Sequence, residues 1–179
     1  MMTPTELKEL IRSIPDFPKP GILFRDITTL ISNGEGLSSS VAHLGALARA
    51  AGAEAIAGIE ARGFIFGAAV ACELGLPFLP IRKPGKLPVP VLAIDYALEY
   101  GTDTLELDPG AVPPGGQVVL IDDLIATGGT AAAATELLQR AGARIERALF
   151  VIDLPDLGGA GRLRAKGLTV EALMDFPGH

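Results

Sequence analysis

Val118-Val119-Leu120-Ile121-Asp122-Asp123-Leu124-Ile125-Ala126-Thr127-Gly128-Gly129-Thr130 is the stretch whose reading decides the fold. Four apolar residues, with Val118, Val119 and Ile121 β-branched, predict a short strand buried on both faces that stops at two adjacent carboxylates. A turn of small residues follows. Ala131 to Ala141 then reads as a helix of strong helix formers, with Gly142 as a left-handed stop. In this order the two glycines let successive backbone N–H groups turn inward, and the helix N-terminus adds partial positive charge, so the loop suits a dianionic phosphate. Thr127 and Thr130 add hydroxyl donors. Asp122 and Asp123 fall at the carboxyl end of the strand, where ligands of open α/β sheets bind. A carboxylate pair accepts hydrogen bonds from a diol, and a ribose 5-phosphate offers a diol and a phosphate a few ångströms apart. The competing reading is an ordinary strand–loop–helix joint with capping threonines, in which one of the two aspartates is structural because neighbouring strand residues face opposite ways. The stretch is neither a Walker loop, lacking Gly-Lys-Ser/Thr, nor the Gly-x-Gly-x-x-Gly dinucleotide turn.

The run Ile121 to Thr130 resembles the phosphoribosyl pyrophosphate (PRPP) motif of type I phosphoribosyltransferases, and its Leu-Ile-Ala-Thr-Gly-Gly-Thr form is similar to that of the adenine-specific members. The resemblance implies an enzyme that condenses adenine with PRPP to give AMP and pyrophosphate. Asp122, Asp123, Ala126, Thr127, Gly128, Gly129 and Thr130 would then hold PRPP or AMP. Mg²⁺ is the implied cofactor, held mainly by PRPP with no direct protein ligand set.

The bulk numbers are consistent with this. A chain of 179 residues is long enough to bury a core as one domain. Hydrophobic residues make up 49%, yet Gly, Pro or charge interrupts each apolar run, so no membrane span is expected. The start, Met1 to Glu6, lacks the pattern of a signal peptide, and a cytoplasmic protein is expected. A net charge of −6 with no Lys/Arg-rich block argues against nucleic acid as partner. Two histidines, His43 and His179, leave little for a His-based metal cluster or a Ser-His-Asp triad. Cys72, the one cysteine, is expected to be a buried free thiol, and His43 a surface residue.

Along the chain, Thr3-Pro4-Thr5-Glu6 predicts a capped helix with Leu7, Leu10, Ile11 and Ile14 on one face; Pro15, Pro18 and Pro20 then forbid helix. Pro20 to Ile27 aims a short apolar segment with Phe24 beside Arg25. From residue types alone Phe24 is a core ring next to a surface Arg–Asp pair. The family resemblance instead makes Leu23, Phe24 and Arg25 adenine contacts, with the Phe24 ring stacked on the base and Leu154 opposite it. Gly36–Ala51 reads as a helix, Ala55–Ile59 as a buried strand, and Phe64–Leu74 as a helix. Between the last two lies Glu60-Ala61-Arg62-Gly63, where an arginine at a helix start suits an anion, or equally pairs with Glu60. The resemblance makes Ala61 and Arg62 the pyrophosphate loop.

After a strand over Leu76–Ile81, Arg82, Lys83 and Lys86 sit among Pro and Gly, either as a mobile basic loop closing over a polyanion or as a solvated turn. They match the family's basic residues that bind pyrophosphate and open the hood loop. Glu99-Tyr100-Gly101 is similar to the segment whose glutamate protonates or holds N7 of adenine, which makes Glu99 and Arg62 the implied catalytic residues. Asp108–Gly116 reads as a turn, and Ile145–Ile152 and Val170–Phe176 as strands.

Strands and helices alternate, which predicts α/β architecture: a mostly parallel twisted sheet with helices on both faces. The resemblance adds a small hood, from about residues 1–35 and the C-terminal part, a flexible basic loop and a homodimer. An oxopurine-specific sister enzyme and a PRPP-sensing regulator are the alternatives. The first lacks an obvious lysine near Leu154, the second a basic face.

Overall fold

The computed structural model describes residues 1–97 and 101–178. The N-terminal helix α1 (Pro4–Glu9) forms as expected: Thr3 Oγ1 accepts from Glu6 N–H and the Glu6 carboxylate accepts from Thr3 N–H. It is shorter than its apolar spacing predicted. Arg12–Pro15 leaves the helix as strand β1 and pairs antiparallel with β2 (Leu23–Asp26), placing Ile14 opposite Phe24. Pairing across the proline-rich turn therefore overrides the helical period of Ile14. Asp26 closes this two-stranded sheet against Thr28 N–H and the Arg12 guanidinium, and these bonds, led by those to Thr28, hold its carboxyl at about 2.

A short helix α2 (Thr28–Ile31) leads to α3 (Gly34–Ala50), which starts two residues earlier than expected because Asn33 Oδ1 caps Gly36 N–H at 2.8 Å. Then come β3 (Ala55–Ile59), α4 (Arg62–Leu74) and β4 (Phe78–Ile81). A hairpin not anticipated from sequence follows, β5 (Leu92–Ala97) and β6 (Thr102–Leu107), antiparallel over six residue pairs. The chain ends with β7 (Gln117–Ile125), α5 (Gly129–Arg140), β8 (Arg144–Asp153), α6 (Gly159–Ala165) and β9 (Thr169–Asp175).

Five strands form one parallel sheet in the order β4-β3-β7-β8-β9. Alternate residues of β7 feed opposite cores. Val119 and Ile121 join Phe66 and Val70 of α4 and Leu44 of α3, whereas Val118 and Leu120 join Leu137 and Leu138 of α5 and Leu105 of the hairpin. Helices thus cover both faces, as the alternating pattern predicted. The close approach of α4 depends on glycine: a Cβ on Gly58 or Gly67 would lie 2.8 or 2.9 Å from the Phe78 ring.

Two smaller expectations are corrected. Cys72 is exposed, because it lies on the outer side of α4 beside buried Ala71. His43 is half-buried, its Nε2 2.8 Å from the Met2 carbonyl oxygen. Among the described residues no helix is long and apolar enough to cross a membrane.

Candidate active site

The central strand does not stop at its carboxylates. β7 continues through them to Ile125, and Leu124 and Ile125 still pair with Ile152 and Asp153 of β8. The extension fixes where the two aspartates point. Asp123 is buried, 3% exposed, and its Oδ2 lies 3.0 Å from Arg62 Nε in an ion pair without hydrogen-bond alignment. Asp122 turns toward the start of α4, where a Cβ on Gly63 would come within 2.7 Å of its Oδ1. That oxygen accepts from Asp123 N–H at 2.9 Å. Burial is the main force pushing the Asp122 carboxyl well above the usual carboxylate range, and the adjacent Asp123 charge adds to it. Burial also raises Asp123, against the pull of Arg62.

After the strand the chain turns at Ala126-Thr127-Gly128 into α5. Gly128 adopts φ 81°, which favours glycine, and caps the helix with its backbone. Sequence reasoning missed what supports this turn. Gly159 N–H donates to the Ala126 carbonyl at 3.0 Å and Arg162 Nη1 to the Thr127 carbonyl at 3.1 Å, so α6 braces the loop from behind. A Cβ on Gly159 would sit 2.3 Å from Ala126 O. The Gly158-Gly159 pair after Leu157 was the available signal, and a glycine pair reads more readily as a loop than as a helix start.

Opposite the turn, Glu60-Ala61-Arg62 joins β3 to α4, with a cis Glu60–Ala61 peptide bond. Glu60 carries three bonds at once: from Lys83 N–H (2.9 Å) and from Arg82 Nε (3.2 Å) and Nη2 (3.4 Å). The Lys83 N–H bond is the chief reason its carboxyl is lowered. Arg82 therefore lies against Glu60, with its guanidinium 5.9 Å from the Phe64 ring centre. Lys83 instead enters the cleft; its Nζ donates to Tyr96 Oη (3.0 Å) and to Asp103 Oδ2. Burial alone would lower the ammonium, but the bonds to Asp103 and Tyr96 and the charges of those groups together outweigh it and hold its pKa raised.

Together these segments enclose a cleft of about 280 Å³ lined by residues 59–62, Lys83 and residues 122–131. The expected residues Ala61, Arg62, Lys83, Asp122, Asp123, Ala126, Thr127, Gly128, Gly129 and Thr130 all meet there. Arg82 and Lys86 are not among its lining residues; Lys86 is exposed, and its carbonyl accepts from Arg82.

The residues expected at the base lie apart from this cleft. Leu23, Phe24 and Arg25 are half-buried on β2, and Phe24 meets Phe17 edge-on at 5.1 Å. The Arg25 guanidinium stacks on Phe176 at 4.6 Å and donates to Ser13 Oγ, so its side chain is engaged with β1 and the end of β9. Leu154 connects the two regions: its N–H donates to the Ile125 carbonyl, and its side chain packs on the core shared with Ile27. Glu99 lies outside the described residues, as do Leu98 and Tyr100.

A glycine turn opening a helix at the carboxyl end of a parallel sheet faces Arg62 at the β3–α4 joint and Lys83 after β4. The chain is a phosphoribosyltransferase, for residues 49–166 match the phosphoribosyl transferase domain family. Over 178 residues, 99% of this chain and 100% of the relative, the sequence is 70% identical to the adenine phosphoribosyltransferase of Novosphingobium aromaticivorans. The fold is similar to adenine phosphoribosyltransferase from Thermoanaerobacter pseudethanolicus, with TM-score 0.91 at 43% identity, covering 97% of this chain and 100% of that one. It is also similar to the Saccharomyces cerevisiae enzyme complexed with an imino-altritol bisphosphate and adenine, with TM-score 0.89 at 37% identity, covering 95% and 97%. Within the phosphoribosyltransferases, this chain belongs to the adenine phosphoribosyltransferase family.

Proposed function

We infer that this chain transfers the 5-phosphoribosyl group of PRPP to N9 of adenine, releasing pyrophosphate and AMP as a purine-salvage step. The observation that carries the reading is the convergence of the Thr127–Thr130 turn, the Asp122–Asp123 pair, Arg62 and Lys83 on one cleft, in a chain 70% identical to an adenine phosphoribosyltransferase.

The backbone N–H groups and hydroxyls of Thr127 to Thr130 hold the 5-phosphate at the start of α5. Asp122 and Asp123 accept the ribose hydroxyls. Ala61, Arg62, Lys83, Arg82 and Lys86 face the pyrophosphate, and Arg62 and Lys83 balance its growing charge as the C1–O bond lengthens and C1 gains oxocarbenium character. Arg62 must exchange Asp123 for phosphate oxygen to do so. Phe24 stacks on the base with Leu154 opposite; Leu23 and the Arg25 backbone read its edge, since the Arg25 side chain is occupied by Phe176. Glu99 is assigned to N7 on the resemblance of Glu99-Tyr100-Gly101 alone.

Mg²⁺ is the proposed cofactor. It takes hard oxygen donors and keeps several waters. The cleft offers the Asp122 and Asp123 carboxylates, and among the described residues there is no group of three or more His, Cys, Asp or Glu side chains that could hold a metal. That donor set fits an ion carried chiefly by PRPP's own oxygens, where it would screen the polyphosphate charge. We further propose that residues 1–179 act as one unit, with a hood from about residues 1–35 and the C-terminal part, that the enzyme is a homodimer, and that it is cytoplasmic. The exposed free thiol of Cys72 suits a reducing compartment.

The test is pyrophosphate release with Mg²⁺ and PRPP, run in parallel with adenine, hypoxanthine, guanine and xanthine. Turnover with adenine alone is expected. Preference for an oxopurine would leave the PRPP half intact and overturn the assignment of Phe24, Glu99 and Leu154. PRPP binding without turnover of any base would point to a sensor.

A further inference from the structure

The two cations that line the cleft, Arg62 and Lys83, and Arg82 beside it are already held by acids. Arg62 lies against Asp123 at 3.0 Å, Arg82 against Glu60 at 3.2 Å, and Lys83 against Asp103. The first two acids belong to the cleft itself, since Asp123 and Glu60 both line it. Asp103 does not. It sits on β6, half-buried, outside every motif that the sequence singled out, and its carboxylate is anchored from three directions. Lys83 Nζ donates to Oδ2, Tyr96 Oη donates to the same oxygen at 3.2 Å, and Thr104 N–H donates to Oδ1 at 2.8 Å. Two of these anchors, Tyr96 and Thr104, belong to the same hairpin as Asp103, and Tyr96, which is buried, bonds both members of the pair.

We propose that Asp103 is a positioning residue that competes with pyrophosphate for Lys83: it holds the ammonium when the cleft is empty and takes it back as pyrophosphate leaves. This rests on the assignment of Lys83 to the pyrophosphate. An ammonium has three donors on one nitrogen and a flexible stem, so it can swing between two sets of oxygens without moving the backbone. Charge-assisted bonds to a fixed carboxylate are among the stronger polar contacts, and a polyanion must offset them to recruit Lys83. Asp103 therefore weakens the grip on pyrophosphate. For a transferase that must release this product after every turnover, a weaker grip shortens the time the product stays bound.

The experiment measures binding of inorganic pyrophosphate, with Mg²⁺, to the full chain by calorimetry for the wild type, Asp103→Asn, Lys83→Met and the double variant. Asp103→Asn is expected to bind pyrophosphate about two- to tenfold tighter. Lys83→Met is expected to bind it more weakly, and adding Asp103→Asn to Lys83→Met is expected to change little. Tyr96→Phe, which keeps the ring and loses the bond to Lys83, should move affinity in the same direction as Asp103→Asn by a smaller factor, and serves if the asparagine variant does not fold. Unchanged or weaker binding in Asp103→Asn overturns the proposal. So does an equal gain in the Lys83→Met background, since that would reflect removal of a negative charge rather than release of Lys83. Wild-type affinity in Lys83→Met would remove Lys83 from the pyrophosphate site itself, and the role of Asp103 would fall with it.

Discussion

Arg62 Nε lies 3.0 Å from Asp123 Oδ2, so the first residue of α4 and the carboxyl end of β7 are joined across the floor of the cleft before any substrate enters. The pair is unequal: the Asp123 side chain is 5% exposed and that of Arg62 47%. Arg62 can swing to a ligand, whereas Asp123 stays in place. Arg62→Ala is expected to lower kcat/KM for PRPP by about 10²–10³-fold, the cost of losing one preorganised donor at a developing anion. Arg62→Lys keeps the charge but not the planar fork and should recover only part of it. Steady-state kinetics with adenine and PRPP measures both; near-normal Arg62→Ala activity would remove Arg62 from the pyrophosphate role.

The adjacent carboxylates predict an inverted pH dependence of stability. Burial raises both Asp122 and Asp123 above their unfolded values. Between the ordinary carboxylate range and the raised values, the folded protein binds more protons than the unfolded chain, so this pair's contribution to stability falls as pH rises. Asp122→Asn should therefore melt a few degrees higher than the wild type at pH 8, with a smaller difference near pH 4, while losing PRPP turnover. Thermal melts of the ligand-free proteins across that range decide it; a variant less stable than wild type at pH 8 would contradict the burial argument.

How much of this could be read from the chain differs by element. Thr3 to Glu6, Ala55–Ile59 and, in the Val118–Thr130 run, the buried strand and the glycine turn before a helix were legible because local chemistry and tertiary role coincide. The continuation of β7 through Asp122 and Asp123 to Ile125 was not legible, since it is set by pairing with β8. The hairpin of β5 and β6 was not, because Leu92–Ala97 and Thr102–Leu107 hold their register through each other and against α5, and such pairing leaves a weak local trace. α6 begins with Gly158-Gly159, whose composition signals a loop, although Leu163 is fully buried. At the site, the cleft-lining residues of the Ala126–Thr130 turn could be named from sequence. The partners that hold the cations could not: Asp103 meets Lys83 from 20 positions away, a relationship set by the fold.

In the proposed reaction the base is held chiefly by Phe24. Its ring meets Phe17 at 5.1 Å with an interplanar angle of 72°, an edge contact that does not use a parallel stacking position. Phe24→Ala is expected to raise KM for adenine about 5- to 150-fold, the range for losing one aromatic–base stack, with a much smaller change in KM for PRPP. Phe17→Ala, which removes only the edge contact, should move KM for adenine in the same direction by less. An equal rise in both KM values for Phe24→Ala would mean that the ring supports the hood rather than the base.

Two glycines of α6 separate bracing from helix propensity. A Cβ at Gly159 would come 2.3 Å from Ala126 O and 2.7 Å from Gly128 N, both backbone atoms of the turn proposed to hold the phosphate, so the turn itself must shift. At Gly161, two residues on, nothing lies within 4 Å of the added atom. Gly159→Ala should thus raise KM for PRPP about 10–100-fold, since displacing positioning groups by an ångström costs on that order. Gly161→Ala should leave the kinetics alone and stabilise the helix by about 0.5–1 kcal/mol. Kinetics and melting curves of the two variants, made in parallel, distinguish the cases. If Gly159→Ala lost stability while keeping wild-type KM for PRPP, α6 would be packing against the sheet without positioning the turn that holds the phosphate.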